Sequence, residues 1–382
     1  MYKLTLIFLL FVLSIKLNAQ EAVDSVSVDS LTYQYYLKGN WDELILTGNA
    51  AIQHQIDFKY LRQRLGYAYF VKGNYYASQH QYEKALVFDP NDENTRLYLY
   101  YCGLYTGNTI LARFHAAKLS KKLQSQLGIK PFRILDAVDV EYNYKMNDEY
   151  SRSNPSYKRI GFNTKLGYRL NLYQTVSTYN QMVNVNVPTV QNEYFASLNW
   201  SLSAHTSLDA GYHYLSTNVD GTIYPGNLYF GGLYHTLNRF DVGITGSELS
   251  NGMGNFGQVG LQAGVRLPGK ANVYLKSTVY QMLETNNNRV VFAQSAGALF
   301  FKTIWLEGNL TLGNLKNYVD KNGLYVYNSL DESTFRTGGT IFWYVGRKLI
   351  FFGNYTYDKK LITDTNTNYN QHSYSGGLIW KL

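Results

Sequence analysis

From about Ile134 to the C-terminus the chain alternates polar and apolar residues with a period of two, and it does so again and again. Arg159, Gly161, Asn163, Lys165, Gly167 and Arg169 alternate with Ile160, Phe162, Thr164, Leu166, Tyr168 and Leu170. Asp139, Glu141, Asn143 and Lys145 alternate with Val138, Val140, Tyr142 and Tyr144, and Glu193, Ser197 and Asn199 with Tyr194, Ala196, Leu198 and Trp200. His205, Ser207, Asp209, Gly211 and His213 alternate with Leu208, Ala210, Tyr212 and Tyr214 in the same way. Successive residues of a strand point to opposite faces, so each segment presents one polar face and one lipid-like face. A soluble sandwich could carry one such strand; a long series of them fits an antiparallel transmembrane β-barrel. The 37 tyrosines and 19 phenylalanines suit that reading, because amphipathic rings settle at a water–lipid boundary. A mean hydropathy of -0.27 argues against a bundle of membrane helices, and after residue 20 no stretch approaches the roughly 20 apolar residues such a helix needs.

Tight turns at Leu170-Asn171, Leu202-Ala204, Leu237-Asn238, Pro268-Lys270, Phe301-Lys302 and Gly346-Lys348 are expected to alternate with longer polar loops, short turns toward the periplasm and long loops outside. Counting strands between them predicts about fourteen, within a range of about twelve to sixteen, with both barrel ends on the periplasmic side. The Val319 to Leu330 segment can also be an exterior hairpin. The chain ends on Tyr374, Gly376, Leu378, Trp380 and Leu382 alternating against Ser373, Ser375, Gly377, Ile379 and Lys381. This ending resembles the terminal signal by which the barrel-assembly machinery selects outer-membrane clients, with Leu382 in place of the commoner terminal aromatic. The barrel is therefore assigned to residues 131–382.

The N-terminal part follows other rules. Lys3, an apolar run from about Leu4 to Ile15 and the small residues ending at Ala19 read as a signal peptide, residues 1–19, cleaved after Ala19. Gly-Asn then recurs at Gly39-Asn40, Gly73-Asn74 and Gly107-Asn108, 34 residues apart each time. Glycine at such a point supplies the left-handed backbone that ends one helix and lets the next fold back. Leu65, Gly66, Tyr69, Tyr82, Ala85 and Pro90 resemble the tetratricopeptide pattern, with weaker flanking units that keep Tyr35 and Ala51, and Leu99 and Ala112. A short α-solenoid over residues 20–130, in the periplasm, is expected. Tyr33, Tyr67 and Tyr101 share the 34-residue period, and Tyr36 and Phe70 sit one turn further on. These five rings either line a groove that grips a protein or glycan, each adding about 1 kcal/mol, or pack between repeats.

Chemistry is sparse. The single cysteine, Cys102, excludes an intrachain disulfide framework and reads as a small buried hydrophobe. The formal charge of +8 comes without a basic helix or aromatic RNA-binding signature, so no nucleic-acid partner is expected. Neither zinc spacing, phosphate loop nor nucleophile elbow is evident, and no metal, cofactor or enzymatic activity is expected. His205, Asp209 and His213 share one strand face, but four residues of strand span roughly 13 Å, too far for a His–Asp bond. Arg159, Lys165, Arg169, Glu193, Asp209, His213 and Glu307 are assigned to a lumen of mixed charge, which disfavours a strongly ion-selective pore.

Signal peptide, helical repeats and barrel in this order resemble the YaiO-type outer-membrane barrel proteins and, more loosely, exporters of exopolysaccharide that join periplasmic repeats to a barrel. The resemblance implies an envelope role near surface glycans. The expected protein is a non-enzymatic one in outer-membrane lipid, its repeats recruiting a periplasmic protein or glycan and its barrel an anchor that can conduct a solute. A polysaccharide-export channel and a barrel-embedded lipid hydrolase are the alternatives.

Overall fold

A computed structural model describes residues 24–382, apart from 185, 253, 270, 285–287, 329–330 and 364. The expected signal segment lies outside the described residues. Seven helices come first among the described residues: α1 (Ser25–Lys38), α2 (Trp41–Gln53), α3 (Lys59–Val71), α4 (Tyr75–Phe88), α5 (Glu93–Tyr105), α6 (Thr109–Ala116) and α7 (Lys121–Gln126). No helix among them is long and apolar enough to cross a membrane. The recurrent Gly-Asn has a two-part role. Gly39, Gly73 and Gly107 take φ values of 71°, 75° and 69°, which end α1, α3 and α5. The next residue then starts the following helix, and the Asn74 and Asn108 side chains accept from the backbone N–H three residues on. Leu44, Ala51, Leu61, Leu65, Ala68, Tyr82, Ala85, Leu99, Leu111 and Ala112 are buried between the helices. Gly66 permits a close approach: a Cβ there would lie 2.8 Å from the Tyr82 ring.

Sixteen strands follow among the described residues. Fourteen close one antiparallel barrel: β1 (Arg133–Asn147), β2 (Ser156–Lys165), β3 (Leu170–Val183), β4 (Val187–Ser201), β5 (Thr206–Val219), β6 (Thr222–Leu237), β7 (Phe240–Asn251), β8 (Gly254–Arg266), β9 (Tyr274–Leu283), β10 (Arg289–Phe300), β11 (Ile304–Leu312), β14 (Glu332–Val345), β15 (Leu349–Ile362) and β16 (Thr367–Lys381). The terminal strand closes the ring on the first, Ala137 opposite Lys381 through Asn147 opposite Gln371. The other two, β12 (Tyr318–Asp320) and β13 (Tyr325–Tyr327), pair only with each other.

Five of the six expected tight turns join strands at the expected positions, at the end where the helices sit; the sixth is at 166–169, because Leu170 and Asn171 already pair as the start of β3. The opposite end differs from expectation, because the connections after Val183, Val219 and Asn251 are only two or three residues long. The polar stretches expected as loops there are strand instead. Strands of up to 16 residues, against the roughly 9–11 that span a membrane, carry the pairing well past the apolar zone. That zone is visible outside the barrel. Trp200 and Tyr194 bracket exposed Leu198 on β4, and Trp380 and Tyr374 stand exposed in the same way on β16. Exposed Val242, Ile244, Leu261, Val279 and Ile341 carry the band around the wall, which hydrogen-bonded neighbours leave without an open edge.

Candidate functional site

The interior of the barrel is where the molecule departs most from a plain pore. The connection between β11 and β14 turns inward, and its β12–β13 hairpin lies inside the lumen. Lumen-facing Leu215, Leu228 and Leu249 bury against Val319, with Phe256 and Val326 at the margin. Met282 and Val291 bury against Leu315 and Tyr318. An inward-facing leucine has no favourable partner in water, so the apolar sector of the β5–β10 wall has the hairpin as its cover.

Polar groups fix the hairpin's register. Gln258 donates to the Val319 carbonyl at 2.9 Å and accepts from its N–H at 3.0 Å, as a neighbouring strand would. At the opposite wall Tyr325 donates to Glu141 at 2.8 Å, and Glu141 is in turn paired with Arg159 at 2.8 Å. The Arg336 guanidinium stacks 4.0 Å over Tyr327 while holding Asp358 bidentately at 2.7 and 2.9 Å. At the hairpin's base Arg152 grips Asp331 at 2.8 and 2.9 Å, and Tyr369 donates to the same carboxylate. These partners come from β1, β8, β14, β16 and the β1–β2 connection, so the hairpin is tied to several sides of the barrel at once.

The hairpin tip reaches toward the helices. Asn322 donates to Asp209 at 2.8 Å, and the Gly323 carbonyl meets His213 Nδ1 at 2.8 Å. Asp209 also accepts from Asn199, whose amide oxygen accepts from Arg113 of α6 at 2.6 Å. Hairpin tip, barrel wall and helical region are thereby joined through four side chains. The helices rest on the same rim elsewhere: Tyr168 donates to Gln124 of α7, Arg169 lies 5.5 Å over Phe114, and His205 Nε2 sits 3.4 Å from Glu83.

Beside the hairpin a chamber of about 940 Å³ remains, lined by Glu193, Arg159 and Glu307 among other side chains. These three of the expected lumen residues face it directly. Asp209 and His213 face inward and are engaged by the hairpin tip. Lys165 is at the helix-side rim, 2.9 Å from Asp136. Arg169 is placed differently from expectation, since β2 ends at Lys165 and Arg169 belongs to the following turn, against Phe114. Its alternating pattern continues through a turn that has left the wall. His213 Nε2 is 3.4 Å from Glu193, and the nearby Ser177 donates to Glu193 and not to the imidazole. The described residues contain no group of three or more His, Cys, Asp or Glu arranged to hold a metal.

On the helices, Tyr36 meets Tyr67 edge-on at 5.3 Å, Tyr67 meets Tyr98 at 5.6 Å, and Phe70 meets Tyr98 at 5.3 Å. The ladder thus runs through Tyr98, one helical turn short of the 34-residue period, and links neighbouring repeats. Tyr101 is a flanking ring 6.4 Å from Phe70. Tyr33 stands half exposed with Arg64 5.1 Å over its face. Cys102 is buried with its thiol pushed up to about 12, so it stays protonated. His115 of α6 is buried with neither ring nitrogen hydrogen-bonded, and desolvation, aided by Arg96, pushes it down to about 3.

No family profile and no curated protein matches the chain. Solved structures that resemble it include the Acinetobacter baumannii outer membrane protein Omp33, at 8% identity over 65% of this chain and 99% of that one, with a TM-score of 0.39. The CymD monoaromatic hydrocarbon channel is similar at 8% identity over 72% of this chain and 93% of that one, with a TM-score of 0.45. The Ralstonia pickettii toluene transporter TbuX is similar at 7% identity over 64% and 88%, with a TM-score of 0.43. Neighbours this remote bear on neither substrate nor mechanism.

Proposed function

We propose that the chain is an outer-membrane barrel held closed by its own inward hairpin, with the helical region on the periplasmic side as a docking platform. The hairpin tied across the lumen carries this reading. A simple anchor has no use for a segment bonded to so many walls, whereas a pore that opens under control has. The outward apolar band supports the membrane placement. Helix-side turns, both barrel ends and the rim contacts all lie at one end, which supports placing that end in the periplasm.

The helices resemble tetratricopeptide units and are proposed to recruit a periplasmic protein or an envelope glycan. Half-exposed Tyr33 and its Arg64 are the portion of the aromatic ladder least committed to packing. In cell fractionation the chain is expected in the outer membrane, migrating faster before boiling than after. Recovery in the soluble fraction would overturn the membrane assignment. Separately, Tyr33→Ala combined with Tyr101→Ala is expected to weaken capture of periplasmic partners by the purified protein; unchanged capture would remove the helices' recruiting role.

A further inference from the structure

One sector of the barrel carries its outward apolar surface right up to the helix-side turns. Phe300 lies opposite Ile304, Ile304 opposite Trp343, Trp343 opposite Phe351, Phe351 opposite Leu378, and Leu378 opposite Val140. Residues directly opposite one another share a face, and Phe300, Trp343, Phe351 and Val140 are exposed on it. One step closer to the helix end, Val345 lies opposite Leu349, Leu349 opposite Trp380, and Trp380 opposite Val138. The β14–β15 turn, residues 346–348, follows at once. In this sector the strand ends therefore coincide with the edge of the apolar band.

Beyond that edge the surface is basic. Lys302 of the β10–β11 turn and Arg347 and Lys348 of the β14–β15 turn are exposed, and neither turn contains an acid. The two turns are neighbours, for the Tyr344 N–H donates to the Thr303 carbonyl at 2.8 Å. Adjacent strands lie about 4.8 Å apart, so the ends of β10 to β15 bring the three cations within roughly 15 Å. Acids close in sequence are committed elsewhere: Glu307 lines the chamber, and Asp136 pairs with Arg133 and Lys165. The helices rest on a different sector. Their contacts fall on β4 and the β2–β3 and β4–β5 turns, and a small cleft carries them to the β8–β9 turn. At the opposite end of the barrel the connections mix Asp148, Glu149 and Asp220 with Arg152 and Lys316.

The β10–β11 turn is also built against backbone preference. Phe301 and Lys302 both take left-handed conformations, φ 47° and 63°, where glycine and asparagine are favoured. Phe301 is 86% exposed, so burial does not account for its ring either. A membrane surface accounts for both residues: an aromatic ring settles in the interface, and a lysine stem carries its ammonium out to the headgroups.

We infer that this sector binds the anionic headgroups of phospholipids in the leaflet on the helix side. Lys302, Arg347 and Lys348 meet the phosphates, while Phe301, Trp343 and Trp380 sit in the interface beneath them. Charge complementarity and continuity with the apolar band select this occupant. An acidic protein would answer the three cations and leave the exposed rings in water. The inference rests on the membrane placement proposed above and deepens it by naming a lipid class and a sector of the rim.

The test is native mass spectrometry of the full-length protein in detergent micelles, titrated with phosphatidylglycerol, phosphatidylcholine, lipid A or poly-glutamate. Phosphatidylglycerol is expected to be retained roughly tenfold better than phosphatidylcholine. Combining Lys302→Gln, Arg347→Gln and Lys348→Gln should abolish that preference in a protein whose unboiled migration is unchanged. Lys158→Gln with Lys359→Gln, two exposed cations toward the opposite end, should leave it intact. Phe301→Asn with Lys302→Gly supplies the residues that the turn prefers; its barrel should resist heat at least as well while the preference falls severalfold. The inference is overturned if phosphatidylglycerol is held no better than phosphatidylcholine, if either turn variant keeps the full preference, or if lipid A or poly-glutamate takes the place of phosphatidylglycerol. Retention in micelles does not depend on cellular location, so its failure would leave the outer-membrane placement, read by fractionation, standing.

Discussion

The helical region and the barrel lumen use the same residue types for opposite ends. Between the helices, tyrosine and leucine pack against their own kind, and Leu44, Leu61, Leu65 and Leu99 each contribute about 1.5–3 kcal/mol by leaving water. In the lumen, tyrosine also works through its hydroxyl, as Tyr325 does at Glu141 and Tyr369 at Asp331. The inward-facing leucines Leu215, Leu228 and Leu249 are covered there by the hairpin. One region is held by burial that any apolar neighbour of the right size could supply; the other is held by named partners with fixed geometry. A substitution in the first should be felt as lost packing, and in the second as an orphaned charge or donor.

The largest effect is expected from Asp358→Ala. It leaves the Arg336 guanidinium unpaired in the lumen and releases the cation held over Tyr327, a loss of roughly 3 kcal/mol. The temperature at which the fast-migrating unboiled band disappears reads it, and helix content should melt as before. Gly66→Ala is the mirror case. Its methyl group meets the Tyr82 ring, and overpacking of about 2 kcal/mol should lower helix melting by circular dichroism while the barrel band is unmoved. An equal effect of either change on both readouts would break the contrast.

Acid should separate the two regions further. His115 has a folded-state pKa far below its unfolded value, so below roughly pH 6.5 the unfolded chain takes up a proton that the folded one does not. Stability of the helices should therefore fall as pH drops from about 6.5 toward 3, by up to about 1.4 kcal/mol per unit. His115→Leu is expected to flatten that slope in pH-dependent melting; a slope that persists would assign it elsewhere. The smallest effect is expected from Arg113→Ala, which removes the bond to Asn199 at the rim. Loss of about 1–2 kcal/mol should speed proteolysis between α7 and β1 without changing either melting temperature. Unchanged proteolysis would mean that the other rim contacts suffice.

Much of this was legible in residue patterns. Strand alternation, five of the six tight turns and the even strand count follow from local rules, and each Gly-Asn marks a helix end followed by a helix start. What escaped those rules depends on partners distant in sequence. Tyr318, Val319, Val326 and Tyr327 are strand-forming residues like those of the wall, so the sequence leaves Val319–Leu330 open between wall and exterior; Gln258, Glu141 and Arg336 decide that the β12–β13 hairpin lies inside. A signal was present in Leu215, Leu228, Leu249, Met282 and Val291, which occupy positions where the lumen pattern calls for polar side chains. Tyr98 was hidden for another reason. The 34-residue period aligns equivalent positions, whereas rings of adjacent repeats touch one turn out of register.

Single-channel conductance in planar bilayers tests the closed lumen most directly, comparing the full chain with a variant in which residues 315–328 are replaced by a short Gly-Ser turn. The full chain is expected to be nearly silent and the variant to show steady steps at least tenfold larger. Large steps from the full chain, matched by the variant, would contradict closure by the hairpin, and silence from a correctly folded variant would contradict a conducting lumen beneath it.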